Sequence, residues 1–288
     1  MSQDRYEINI SKKNIYGKCD SKCIYNFRYE VNNNLVAKNN GVNISLTPDK
    51  SNHATVVYND AEYEVHKIDL YCPSLHIFDG KKLDAEIVVT HTPKLGGPHL
   101  LVCVPIKNSS ELTSASDLIT QVINEVASNA PSKDETTTLS ISDFTLEEII
   151  PTKSPFMAYS GAFSQTQSNY VVYGKVSTIP LSQSTLDTLK SIIKPFPLKM
   201  FGGNIFVNEK GANSQFSSKG IYISCKPTGN SNDEEIITTT TSTSSSSSFF
   251  RSPMLRQAVK FFMIFIIFMI LFVGLNFAFT KFSSLTNK

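Results

Sequence analysis

The 288-residue chain is long enough for one large domain or two small ones, and 41% of it is hydrophobic. Its net charge is +2, and residues 229–288 hold five of the 27 basic and three of the 25 acidic residues, so residues 1–228 balance at 22 of each. Proteins that bind nucleic acid without sequence preference are usually strongly basic, so nucleic acid is excluded as the expected partner.

The chain starts with the polar and charged segment Met1–Ile10, and no apolar run follows it that would form a secretory signal. The five cysteines are odd in number and sparsely spaced, which argues against a disulfide framework. Cys19 and Cys23 have no further ligand residues nearby, so we expect no metal there. We expect reduced cysteines, with Cys103 as a buried thiol, and a domain made in the cytosol.

Residues 1–228 are predicted to form a β-dominated α+β domain with few helices. Apolar, β-branched or alternating runs predict strands at Ala85–Thr90, Leu100–Ile106, Asn169–Val176 and Lys219–Cys225. Apolar residues at helical spacing predict helices at Ser116–Val126 and Leu181–Ile193. The second helix would begin at a cap formed by Ser182 or Ser184 and end before Pro195.

A linker and an anchor are predicted after this domain. Residues 229–260 form the linker and its basic juxtamembrane end, and the run Thr238–Ser248 contains only Thr and Ser, which cannot bury enough apolar area to fold. Phe261–Phe279 is almost wholly apolar, and its nineteen residues would span roughly 28 Å as a helix, close to the bilayer core of roughly 30 Å. We therefore expect one C-terminal transmembrane helix, a short tail at 280–288, and, from a weak charge bias, a domain that faces the cytosol.

Several stretches of the domain resemble α-type carbonic anhydrases, in the order in which the family has them. The longest resemblance runs from Tyr63–His76 through Asp79-Gly-Lys-Lys to Asp84–His91, and it is similar to the family's Gln-Phe-His-Phe-His, Ser-Glu-His, Asp-Gly-Lys and Glu-Leu-His-Leu-Val-His. Shorter ones lie at Tyr6–Ile10, Asn39–Ile44, Ile149–Pro151, Tyr159–Gly161 and Ile179–Gln183. The resemblance implies a large, twisted, mainly antiparallel sheet with peripheral helices.

The sequence departs from this family where the family does its chemistry. The resemblance assigns the three zinc-binding histidines to Asp69, Tyr71 and Val88, of which only the aspartate has a side chain that zinc sites use. The positions of the proton-shuttling histidine, of a supporting glutamate and of the threonine that it holds are Val42, Leu75 and Gln165. Without zinc, a water pKa of 15.7 cannot be lowered to about 7. We predict a protein without this enzymatic activity, without metal and without cofactor.

Two histidines and a glutamate match positions that are structural in the family: His76, Glu86 and His91. A buried carboxylate needs a partner, so we predict that Glu86 pairs with His76. A His–Glu acid–base pair is the functional alternative. His53 and His99 are expected in solvent-facing turns.

The expected function is that of a non-catalytic, membrane-anchored binding protein. Its layout resembles that of the poxvirus envelope homologue of carbonic anhydrase, which binds cell-surface glycosaminoglycan. The resemblance implies an attachment protein in a virion membrane, with a sulfated glycan or a protein receptor as partner. The candidate anion patch, or alternatively a solvated surface, consists of Lys12, Lys13, Lys18, Lys22 and Arg28. A membrane-tethered scaffold or minor capsid protein and a divergent carbonic anhydrase or esterase remain alternatives.

Overall fold

A computed structural model describes residues 6–48, 55–163, 166–197 and 199–214. The strands are β1 Tyr6–Glu7, β2 Asn9–Ile10, β3 Ile15–Lys18, β4 Tyr25–Arg28, β5 Val36–Asn39, β6 Ile44–Thr47, β7 Thr55–Tyr58, β8 Ala61–Tyr71, β9 Ile77–Phe78, β10 Lys81–Lys82, β11 Ala85–Pro93, β12 His99–Asn108, β13 Thr136–Thr138, β14 Phe156–Phe163, β15 Thr166–Tyr173, β16 Ile179–Leu181, β17 Phe201–Gly202 and β18 Ile205–Asn208. The helices are α1 Ser114–Asn129, α2 Leu146–Ile149 and α3 Gln183–Ile192, with 3-10 turns at Lys12–Asn14 and Lys175–Ser177.

One large mixed sheet dominates the described part of the chain. Its strands follow the order β1-β17-β14-β15-β12-β11-β8-β6-β5-β13, and most neighbours are antiparallel. Strand β12 pairs in parallel with both β15 and β16. The architecture is therefore β-dominated with few helices, as the sequence predicts.

Both faces of the central strands are buried, which explains why these strands are apolar without a break. Alternate residues point to opposite faces of a strand, so Ile87 and Val89 pack in the larger core cluster with residues of α1 and α3. Val88, between them, packs in a smaller cluster on the other face. A strand covered on both faces reads as a continuous apolar run rather than an alternating one.

The predicted strands at Ala85–Thr90 and Leu100–Ile106 lie inside β11 and β12, and the predicted helix Ser116–Val126 lies inside α1. Helix α3 begins after Ser182, whose hydroxyl accepts a hydrogen bond from the Thr185 backbone N–H, so the expected cap is confirmed. The strand predicted at Asn169–Val176 is wrong at its end. It stops at Tyr173, and the next residues form a 3-10 turn that leaves Val176 exposed.

Two expectations about single residues are wrong. Cys19 and Cys23 form a disulfide, because a tight turn, closed by the Cys23 N–H donating to the Cys19 carbonyl, brings their Cα atoms to 5.3 Å. His99 is not in a solvent-facing turn. It begins β12, paired with Ser168 of β15, and it is half-buried.

Several sequence predictions fall outside the described residues: the strand Lys219–Cys225, the linker 229–260, the apolar run Phe261–Phe279, His53 and Gln165. Among the helices of the described ranges, none combines the length and the apolar character that crossing a bilayer requires.

Candidate functional site

The position that the resemblance assigns to the first zinc ligand is a buried carboxylate with two partners. Asp69 lies in β8, and its Oδ2 is 2.8 Å from Nζ of Lys67, two residues earlier on the same strand face. Its Oδ1 accepts a hydrogen bond of 2.8 Å from Nδ2 of Asn43, just before the neighbouring β6. Asp69 is only 1% exposed. Its charge is therefore compensated within the protein.

The other two assigned positions offer little to a metal. Val88 is in register with Asp69 on one side and with Cys103 on the other, and its buried side chain has no ligand atom. Burial and the nearby Asp69 carboxylate raise the pKa of Tyr71, so its hydroxyl keeps its proton. Phe196 packs edge-on against the Tyr71 ring at 5.4 Å between centroids. Apolar side chains thus occupy the space around the two positions.

The positions assigned to the supporting glutamate and to the proton-shuttling histidine also hold apolar side chains, Leu75 and Val42. Leu75 is buried in the smaller apolar cluster, and it contributes its backbone N–H to Glu86 rather than a side chain. Val42 is half-buried, in the short connection between β5 and β6. Neither side chain can transfer a proton.

The structure brings His76 and Glu86 together in a sealed hydrogen-bond network, and both residues have no exposed surface. Nδ1 of His76 is 2.6 Å from Oε1 of Glu86. Oε2 of Glu86 accepts hydrogen bonds from the backbone N–H groups of Leu75 and His76, at 2.7 and 2.9 Å. Nε2 of His76 is 2.7 Å from the Tyr159 hydroxyl. Every polar atom of the pair therefore has a partner.

Cys103 joins this network from the neighbouring strand. Its sulfur, an imidazole nitrogen of His76 and a carboxylate oxygen of Glu86 all lie within 4.8 Å of one another. Burial and the Glu86 carboxylate raise the pKa of the Cys103 thiol. The sequence predicts the buried thiol but not its neighbours, because they depend on the register of β11 and β12, which pairs Glu86 with Pro105 and Val88 with Cys103.

Two tyrosine rings close the network on one side. Tyr159 and Tyr170 stack face to face, with centroids 4.4 Å apart and planes 2° from parallel. Burial, together with the Cys103 neighbour, raises the pKa of Tyr170. The hydroxyl oxygen of Tyr170 is buried and has no hydrogen-bond partner among the described residues.

His91 occupies a second buried network on the opposite side of the sheet. Its Nε2 is 2.8 Å from the Tyr29 hydroxyl, which is in turn 2.7 Å from the Tyr25 hydroxyl. Its Nδ1 donates to the Leu100 carbonyl at 3.1 Å. Burial lowers the pKa of His91 from 6.5 to about 4. The imidazole is therefore neutral: its Nδ1–H donates to Leu100, and its Nε2 accepts a hydrogen bond from the Tyr29 hydroxyl.

The candidate anion patch is spread over several elements. Lys12 and Lys13 are exposed in a 3-10 turn, Lys22 lies in the turn closed by the disulfide, and Arg28 ends β4. Lys18 is already paired, with Nζ 2.6 Å from Glu209, and this hydrogen bond raises the pKa of Lys18. Lys18 is therefore a weaker candidate for binding an external anion than the sequence predicts.

Comparison with known structures identifies the fold. The chain is similar to α-carbonic anhydrase from Photobacterium profundum (TM-score 0.55, 15% identity, covering 69% of this chain and 89% of that one). It is also similar to dioscorin complexed with ascorbate (TM-score 0.57, 16% identity, covering 72% of this chain and 85% of that one). A third similar structure is a Chlamydomonas reinhardtii carbonic anhydrase in complex with acetazolamide (TM-score 0.56, 16% identity, covering 72% of this chain and 91% of that one).

No protein-family model and no curated protein matches the sequence. The likeness to solved structures therefore establishes one thing, an α-carbonic anhydrase-like fold. The chain is a divergent protein with this fold.

Proposed function

We propose that the protein is a non-catalytic member of this fold group, which binds a partner rather than hydrating carbon dioxide. The observation that carries the proposal is that the Asp69 carboxylate is already bound by other side chains of the chain. This carboxylate already holds Lys67 and Asn43, and its cross-strand neighbour is Val88. A catalytic zinc needs three protein ligands and an open position for water. The three assigned positions provide one carboxylate, which would have to leave its partners.

The direct test is carbon dioxide hydration by the purified chain after incubation with zinc, compared with an active α-carbonic anhydrase. We expect the uncatalysed rate, because Asp69, Tyr71 and Val88 do not provide the ligands for a zinc ion that would lower the pKa of a bound water. Hydration above that rate, lost in the variant Asp69→Asn, would contradict the proposal and favour a divergent carbonic anhydrase.

The proposed place of action is a membrane surface. The apolar run Phe261–Phe279 is long enough to span a bilayer, and the Ser/Thr-rich linker would hold the domain away from it. By its resemblance in layout to the poxvirus homologue, we propose a virion membrane and an attachment role, with a sulfated glycan as partner. The exposed cations Lys12, Lys13, Lys22 and Arg28 support an anionic partner.

Retention on a heparin column tests the attachment role. We expect the chain to be retained at low salt, and the variant Lys12→Glu/Lys13→Glu to elute at lower salt than wild type. Lys94→Glu is the control for a charge reversal elsewhere, with half the change in net charge, since Lys94 lies outside the patch and is paired with Glu62. Elution in the void volume at low salt would count against a glycan. Cross-linking to a protein partner would then favour the scaffold alternative.

A further inference from the structure

The network around His76 contains a thiol, that of Cys103, in addition to the imidazole and carboxylate of an ordinary structural pair. Imidazole, carboxylate and thiol are the three side-chain groups that zinc sites use most, and here all three are within 4.8 Å and fully buried. Cys103 is the cross-strand partner of Val88, and Glu86 that of Tyr71, so this cluster adjoins the positions assigned to the family's zinc but shares no residue with them. We propose that His76, Glu86 and Cys103 form a zinc-binding site of this chain.

The geometry needs only small movements to become a zinc site. Zinc bonds of about 2.0 to 2.3 Å place tetrahedral ligand atoms roughly 3.2 to 3.8 Å apart. Nδ1 of His76 and Oε1 of Glu86, now 2.6 Å apart as a hydrogen-bonded pair, must separate by about 1 Å. The Cys103 sulfur must approach by a similar amount from within 4.8 Å. Side-chain rotation supplies such shifts without moving a strand.

Charge balance favours a divalent ion at this place. The Glu86 carboxylate is fully buried, and burying a carboxylate in a low-dielectric interior costs several kcal/mol unless an opposite charge or hydrogen bonds compensate it. Zn²⁺ bound by the Glu86 carboxylate and the Cys103 thiolate gives a neutral group. The thiol proton is released to solvent on binding.

The surroundings of the three ligands are already those of a metal site. Zinc ligands are usually oriented by outer hydrogen bonds. Glu86 is held by two backbone N–H groups, and Nε2 of His76 faces the Tyr159 hydroxyl, whose oxygen can accept a hydrogen bond from the imidazole N–H in the zinc-bound form. The outer hydrogen bonds of both ligand side chains are thus in place before an ion arrives, and the Nδ1–Oε1 contact between them is the one that has to open.

The Tyr170 hydroxyl is the independent observation that points to a ligand. It is buried without a hydrogen-bond partner among the described residues, and Tyr170 packs in the same cluster as Cys103, with its ring centroid 6.1 Å from that of His76. A thiol is a weak acceptor, whereas a zinc-bound thiolate accepts a hydrogen bond well. Formation of the thiolate would therefore satisfy a hydroxyl that otherwise costs about 1 to 3 kcal/mol.

The experiment uses the full-length chain in detergent, stripped with a chelator, incubated with zinc alone and dialysed before metal analysis. We expect one zinc per chain in wild type and in Asp69→Asn, and loss of at least tenfold in affinity in Cys103→Ser. With cobalt in place of zinc, we expect a thiolate-to-metal charge-transfer absorption that disappears in Cys103→Ser. Cys103→Ala serves as a second variant, and melting in chelator shows whether each variant is folded.

Two results would overturn the zinc site: no zinc retained by folded wild-type protein, or zinc retained equally by folded Cys103→Ser with no cobalt–thiolate absorption. Zinc that is lost in Asp69→Asn and kept in Cys103→Ser would contradict both this site and the proposed absence of a zinc at Asp69. Carbon dioxide hydration stays a separate readout, so the two proposals fail separately.

Discussion

The His76 imidazole carries more of the fold's stability than its size suggests, since it is the side-chain partner of a fully buried carboxylate. We predict that His76→Ala lowers the free energy of unfolding by about 3 to 5 kcal/mol, because Glu86 stays buried and loses its side-chain partner. Urea unfolding followed by circular dichroism, in the presence of a chelator, measures this.

The control for that variant is Tyr159→Phe, which removes one neutral hydrogen bond from the same imidazole. We expect it to cost about 1 to 2 kcal/mol. An unchanged unfolding midpoint in His76→Ala would show that Glu86 does not depend on the imidazole.

At the scale of residues, motif order and the cost of an unpaired carboxylate sufficed to place His76 beside Glu86. The partners of Asp69 were harder to foresee. Lys67 follows from strand periodicity, but Asn43 depends on how β6 pairs with β8, which one sequence does not specify. The part played by Cys103 is hidden for the same reason. Sequence reasoning finds the residue types, and sheet register decides which of them meet.

His91 acts at the scale of elements, because its two nitrogens tie the segment after β4 to β11 and β12. The groups that face it are the Tyr29 hydroxyl, which is backed by Tyr25, the Leu100 carbonyl and the Val89 backbone. The Glu147 carboxylate accepts from the Tyr29 backbone N–H on the outer side. No described cation lies in this hydrogen-bond chain, so a protonated His91 would be a buried charge without a counter-ion.

We predict that the protein loses stability between pH 6.5 and pH 4 through this group. Burial lowers the pKa of His91 from 6.5 to about 4, so in this window the unfolded chain binds a proton that the folded chain does not, and stability rises with pH. The full effect is about 3 kcal/mol. It is present above pH 6.5 and is lost as the pH falls toward 4.

The variant His91→Gln keeps one donor and one acceptor but cannot titrate in this range. We expect its free energy of unfolding to vary less between pH 7 and pH 4 than that of wild type, by up to about 3 kcal/mol. Parallel pH profiles for the two proteins would show that another group causes the loss.

The long elements were predictable because their apolar runs are unbroken, as in β12, or because a cap marks their start, as in α3. Strands of two residues such as β1 and β17 were not predicted. They are strands only because each lies against a partner distant in sequence, and Tyr6 and Gly202 have no strand pattern of their own. The end of β15 was missed because Val176, a β-branched residue, suggests a strand, whereas Gly174 begins a turn.

At the scale of the whole molecule, the proposed role depends on the domain being held at a membrane. Insertion of Phe261–Phe279 is favoured by its almost wholly apolar character, and a lysine near the centre of a spanning helix costs roughly 2.5 to 3.5 kcal/mol. We predict that the wild-type chain floats with lipid vesicles in a density gradient. The variant Ile267→Lys/Ile270→Lys should remain at the bottom.

Salt and carbonate washes separate insertion from surface attraction in this experiment, since electrostatic binding through the basic residues before the run is screened by salt. Substituting Arg251 and Arg256 by Gln is the matched control, and we expect that variant to float after a high-salt wash. Flotation of the double-lysine variant after the same wash would locate the membrane contact in the domain. The linker would then have no tethering role, because the domain itself would lie on the lipid surface.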